Sequence, residues 1–185
     1  MSDHYIRYAA LAYTVLLGFS MVQESVAADA PAVATPQANT ATPPPPPARG
    51  PSLALALEAA QVAVSTCTAN GYKTAASVVD SAGVLKALLA ADGASQRGVE
   101  SSQAKAYTSI SFRLPSGEVA KQAEADADLK SRLAADPKHR ARAGALPLFV
   151  KGELIGAIGV GGAPGSEKDE ACAQAGLDKV KDRLN

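Results

Sequence analysis

Once residues 1–27 are set aside, the chain holds one histidine, His139, and two cysteines, Cys67 and Cys172, so its reactive side chains are few. His139 stands between Lys138 and Arg140, with Arg142 close behind. An imidazole can ligate a metal or move a proton near neutral pH, and basic neighbours recognise carboxylates or phosphates. The loop is therefore either an anion- and metal-facing element or a solvated charged segment. A single histidine supplies no paired-histidine metal spacing, and it assembles no evident Ser-His-Asp or Cys-His constellation. Asp80, Asp169 and Glu170 are available as acids or bases. Asp80 suits a turn position, and Asp169 suits the first turn of a helix, where the dipole favours a carboxylate.

The stretch Leu146–Leu177 carries the densest local signal. Leu148, Val150, Leu154, Ile158 and Val160 read as strand residues around a tight turn at Lys151-Gly152, and Gly161, Gly162 and Gly165 follow before Ser166, an N-cap candidate. A dinucleotide fingerprint beginning at Gly159 and Gly161 meets Pro164 where its third glycine belongs. A phosphate loop needs Lys-Ser or Lys-Thr after its last glycine, and Gly162-Ala163 stands there instead. Two readings of these glycines stay open: a bulge with close helix–sheet contact, or a ligand-facing loop.

The elements that must position these groups follow in order. Ser52 caps a helix in which Leu53, Leu57, Ala60, Val64 and Cys67 recur at steps of four and three, predicting that they form its buried face up to Asn70-Gly71. Tyr72–Val79 and Val84–Ala90 read as a hairpin around Asp80-Ser81-Ala82-Gly83, although Ala87–Ala91 also has helical propensity. After Asp92-Gly93 a helix is predicted over Val99–Phe112, with Gln103 and Lys105 on a polar side and Ala104, Tyr107 and Ser111 opposite. Pro115-Ser116-Gly117 ends it, and Glu118–Ala135 reads as one further helix anchored by Leu129 and Leu133. Asp136-Pro137 stops that helix before the basic loop Lys138–Gly144. The order α-β-β-α-α-β-β-α predicts an α/β fold, an antiparallel sheet with the N- and C-terminal helices packed on one face.

Length and composition allow one domain plus extras: 185 residues, 47% apolar, with 18 basic against 18 acidic residues. Arg7, the apolar run Tyr8–Val22 and the small residues Ser25-Val26-Ala27-Ala28 read as a signal peptide over residues 1–27, giving a periplasmic or secreted protein. The run is short for a membrane span, so no stable membrane insertion is expected after cleavage. Residues 28–51, rich in Ala, Thr and Pro with Pro43–Pro47 unbroken, read as a disordered tether, and the domain occupies 52–185. Balanced charge and 4% aromatic residues without Trp set nucleic-acid binding aside.

An even cysteine count in an exported chain predicts a disulfide between Cys67 and Cys172. Antiparallel packing of the two terminal helices would bring them together. Two buried free thiols are the alternative.

Several of these segments recur together in one family. Ser77-Val78-Val79-Asp80-Ser81-Ala82-Gly83, Asp92-Gly93-Ala94, Glu100 with Lys105-Ala106-Tyr107-Thr108, and Gly156–Gly162 leading to Asp169-Glu170 make the chain resemble the GlcG/HbpS-like family from about Leu53 to Leu184. That resemblance implies a profilin-like fold, homo-oligomers often described as octamers, and haem or a similar tetrapyrrole as a planar ligand. By position it implies Glu100, Lys105, Tyr107 and Thr108 as cofactor-binding residues. His139 joins them as a candidate iron ligand, with Lys138, Arg140 and Arg142 able to meet haem propionates. An exported haem-binding protein is the function expected. The alternative is an enzyme of haem degradation or of small hydroxy-acid metabolism.

Overall fold

The computed structural model describes residues 47–185. The expected signal peptide and most of the tether lie outside the described residues. The tether's last residues, by contrast, are attached to the domain: Pro51 is buried, Arg49 pairs with Glu153, and the Arg49 carbonyl accepts from the Ser81 amide at 2.8 Å.

Helix α1 (Leu53–Ala69) opens on Ser52, whose hydroxyl accepts from the Leu55 amide. Strands β1 (Ala75–Asp80) and β2 (Leu85–Ala90) form the expected hairpin. Asp80 shapes its turn by accepting the amides of Ala82 and Val84, each at 2.9 Å. Helix α2 (Gln96–Phe112) starts one turn earlier than the sequence suggests, because Ser95 caps it through the Gly98 amide.

The single helix expected over Glu118–Ala135 is two helices, α3 (Ser116–Ala125) and α4 (Ala127–Ala135). Asp126 between them is extended at φ −118° and ψ 102° and caps α4 by accepting the Leu129 amide at 2.9 Å. Good helix formers on both sides conceal that break. Strands β3 (Ala145–Val150) and β4 (Glu153–Gly161) meet at Lys151-Gly152, where both residues have positive φ, as a two-residue type I′ hairpin needs. Helix α5 (Ser166–Val180) follows, but Ser166 is its first residue; the N-cap is Gly165, which offers no side-chain acceptor.

The sheet is antiparallel throughout, in the order β2-β1-β4-β3. Alternate strand residues serve different layers. Val78, Ile158 and Val160 join the core under α1 and α5, whereas Val79 and Ala157 face α2 with Ala106 and Ile110. The terminal helices thus share one face, and α2 covers the other. Gly159 and Gly161 explain how closely α2 lies: a Cβ on Gly159 would collide with the Ser102 carbonyl, and one on Gly161 with the Gly98 carbonyl.

The buried face of α1 keeps Ala60, Val64 and Cys67 of the expected one but not Leu53 and Leu57. Ala56, Ala59, Ala60, Ala63, Val64 and Cys67 are buried, while Leu53 and Leu57 are 57% and 42% exposed. Small residues face inward because α5 lies too close for leucine; a Cβ on Gly176 of α5 would reach 2.5 Å from the Ala59 carbonyl. A disulfide joins Cys67 to Cys172 across this contact, with Cα atoms 5.6 Å apart.

Candidate functional site

Helix α2 presents Ser101, Ser102, Lys105, Thr108 and Ser109 at helical spacing, and all are buried. Each must find a polar partner inside the protein. Ser102 shares a 2.6 Å hydrogen bond with Ser77 of β1. Thr108 donates to the Ala104 carbonyl at 2.8 Å and accepts the Arg140 amide at 2.7 Å, so it fastens the basic loop to the helix. Ser116, at the start of α3, fastens the loop's far end: its hydroxyl donates to the Arg142 carbonyl at 2.6 Å and accepts the Ala145 amide at 2.9 Å.

Lys105 is 2% exposed, the opposite of the polar outer side expected for it, whereas Ser111, expected opposite, is exposed. Its ammonium donates to Asp169 Oδ2 at 2.6 Å and to the Val160 carbonyl at 3.2 Å. Glu100 is not its partner; that carboxylate accepts from Gln96 on the helix surface. Burial pushes the Lys105 ammonium below the usual lysine range and the Asp169 carboxyl above the usual carboxylate range, and their mutual hydrogen bond and attraction oppose both shifts. Asp169 uses its other oxygen to accept the Ala163 amide at 2.9 Å, which ties the glycine-rich loop to α5.

His139 is neither solvated nor open. Its side chain is 11% exposed and lies between Tyr107 and Phe112, with ring centroids 5.0 and 5.1 Å away. Both ring nitrogens are buried without a hydrogen-bond partner, and Asp136 Oδ2 lies 3.8 Å from Nδ1.

The residues singled out in the sequence therefore distribute over two hollows that share Arg140. The first, about 470 Å³, lies between α2 and the β1–β2 hairpin; Glu100 and Tyr107 line it together with apolar Val79, Leu85 and Ala104, and Lys138 and Arg140 add positive charge. The second, about 270 Å³, is polar and lies between the N-termini of α2 and α5, with Lys105 and Asp169 at its wall. Thr108 and His139 line neither: the threonine serves as the peg described above, and the imidazole is enclosed between Tyr107 and Phe112. A further depression of about 600 Å³ beside α1 and β2 holds Lys73 and Asp92 but no such convergence of charge. Among the described residues no group of three or more His, Cys, Asp or Glu side chains is placed to hold a metal ion, and no helix is long and apolar enough to cross a membrane.

Residues 52–178 match the family described as haem degrading protein HbpS-like. Among solved structures, HbpS is similar at 33% identity and a TM-score of 0.67, covering 72% of this chain and 92% of that one. The Klebsiella pneumoniae protein ORFY is similar at 25% identity and a TM-score of 0.65, covering 72% of this chain and 92% of that one. A haem complex of PduOC shares the fold at 21% identity and a TM-score of 0.64, covering 70% of this chain and 94% of that one. A search of curated proteins finds no significant match.

Proposed function

The chain belongs to the HbpS-like family, and from that membership we propose that it is an exported protein that binds haem or a related tetrapyrrole in the hollow beside Tyr107. One observation carries the choice of hollow. It alone of the two sharing Arg140 combines an apolar wall, Val79, Leu85 and Ala104, with an aromatic side chain and with cations, Lys138 and Arg140. A tetrapyrrole asks for that combination: apolar surface against the macrocycle and positive charge against its propionates. At about 470 Å³ the hollow also falls within the ~300–1,000 Å³ range of small-molecule sites.

His139 is the proposed iron ligand. Its buried, unpartnered nitrogens are the orphaned polar atoms that a metal would satisfy. Tyr107 and Phe112 enclose the imidazole between them, outside the lining of the hollow, so in this reading Tyr107 swings aside for an iron held there to reach it. Lys105 and Thr108 act at one remove in this reading: the lysine holds α2 to α5, and the threonine holds Arg140 in place.

Export is supported by the Cys67–Cys172 disulfide, a bond that persists in oxidising compartments. An intact mass that still contained Met1–Ala27 in protein recovered from the periplasm or medium would overturn cleavage. Self-association is proposed as well, since the outer surface carries exposed Leu53, Leu57, Val84 and Leu85.

Titration of the purified mature protein with haemin, followed at the Soret band, tests the main reading. Wild type is expected to give a saturable Soret shift, and His139→Ala a changed band position with weaker binding. Absence of a saturable shift in wild type removes the ligand, and a His139→Ala spectrum identical to wild type removes the axial assignment. Following the same band with added peroxide or reductant separates storage from haem degradation: progressive, multiple-turnover loss marks an enzyme.

A further inference from the structure

We propose that the polar hollow between the N-termini of α2 and α5 is a binding site for a small, doubly charged oxyanion, phosphate or a short dicarboxylate, separate from the tetrapyrrole cleft. Four cationic side chains line it: Arg97 on the first turn of α2, Arg140 and Arg142 on the basic loop, and Lys105 at its wall. Among the described residues none of the three arginines has a carboxylate within 4.0 Å. Guanidinium groups without an internal partner, gathered around one hollow, offer forked donors that match phosphate and carboxylate oxygens.

The buried opposing charge is already engaged. Asp169 spends one oxygen on Lys105 and the other on the Ala163 amide, leaving the three arginines as uncompensated charge. Glu170 accepts the Gly144 amide at 3.2 Å, and Glu167, exposed, has its carboxylate folded toward Gly165. Two helix N-termini add backbone donors and partial positive charge from different layers of the fold. That of α5 has no side-chain cap, and the amides of Ser166 and Glu167 find no acceptor among the described residues.

Size separates this hollow from its neighbour. At about 270 Å³, with polar lining from Ser95, Ser101 and Ser166, it suits an ion of a few heavy atoms and offers no apolar wall for a macrocycle. The basic loop that supplies Arg140 and Arg142 is pinned at both ends by Thr108 and Ser116, so the backbone that carries these two arginines is held in place before any ligand arrives. The site stands whether or not the larger cleft takes haem.

Isothermal titration of the mature protein with inorganic phosphate and with malonate, at fixed ionic strength set by chloride, tests it. At least one of the two is expected to bind saturably at one ion per chain. The Arg97→Gln/Arg142→Gln variant should weaken that binding at least about tenfold, in line with the loss of hydrogen bonds to a charged group. Both arginines are exposed, so the variant should keep its fold, checked by circular dichroism. Arg142→Lys, which keeps charge but loses the fork, should fall between. The proposal is overturned if neither anion saturates, if chloride alone competes at equal strength, or if the double variant binds like wild type. Arg142, expected from the sequence beside the propionates, lines only the polar hollow, as does Arg97; haemin titration of the same double variant should therefore match wild type, so failure here is distinguishable from failure of the tetrapyrrole reading.

Discussion

Lys105 and Asp169 are the two side chains whose removal should disturb the protein most. Each is almost fully enclosed, and their contact at 2.6 Å is what permits two charges inside the fold. Replacing one partner leaves the other buried and uncompensated, which costs about 3–5 kcal/mol. Asp169→Asn should show that loss in urea denaturation at pH 7. Asparagine can still accept the Ala163 amide, so the loss reports on Lys105. The pH dependence has a definite sign. Burial already holds Lys105 below 10.5, and losing Asp169 lowers it further, so the unfolded chain binds the extra proton between the two values. Stability of Asp169→Asn should therefore rise as pH climbs through the folded-state value and level off above the unfolded one. Lys105→Met combined with Asp169→Asn should recover most of the loss; a double variant as unstable as the single would rule out the stranded charge as the cause. Nothing in the sequence points to this pairing, because 64 residues separate the partners and Asp169 alone looks like an ordinary first-turn carboxylate. The run Ser101, Ser102, Lys105, Thr108 and Ser109 did hold a usable signal. Small polar residues and one lysine at steps of one, three and four mark a buried polar seam, not a solvated face.

At the scale of elements, the packing of α1 on α5 is where sequence patterning misleads and chemistry corrects it. Leucine outweighs alanine on any hydropathy pattern, so the Leu53–Leu57 stripe reads as the inner face, yet the inner face is alanine because the helices approach too closely for larger side chains. Cys67 was legible on either count, lying at the edge common to both patterns. The strands were legible too, since both hairpins are announced by their turns, Asp80–Gly83 and Lys151-Gly152. The break at Asp126 was not, because only the capping bond to Leu129 reveals it. The disulfide closes a loop of 105 residues. In the chain-entropy account such a closure stabilises by roughly 4–5 kcal/mol. Cys67→Ser/Cys172→Ser should lower stability by up to that amount, measured by denaturant unfolding. Thiol titration of denatured, unreduced wild type should find no free sulfhydryl. Two reactive thiols per chain would refute the bond.

Over the whole molecule, the same close packing has an outward consequence. Drawing alanines inward turns Leu53 and Leu57 toward solvent, and the edge strand β2 exposes Leu85 and Leu88 with Val84 beside them. Scattered exposed leucines are ordinary on a protein surface. Here, however, α1 turns Leu53 and Leu57 outward while burying Ala56, Ala59, Ala60 and Ala63, an arrangement that favours burial against another chain. An edge strand offering free backbone groups has the same need. Self-association of the proposed kind would meet both, and light scattering coupled to size-exclusion chromatography reads it directly. The mature wild-type protein is expected to elute as a defined multimer, and Leu53→Glu/Leu57→Glu to shift toward the monomer with the haemin Soret titration intact, since neither leucine lines the cleft beside Tyr107. A wild type that is monomeric at every concentration would remove self-association, and a double variant that remains multimeric would move the interface off α1. Both leucines are exposed in the chain, so charge placed there should leave the fold standing and let the mass report on assembly alone.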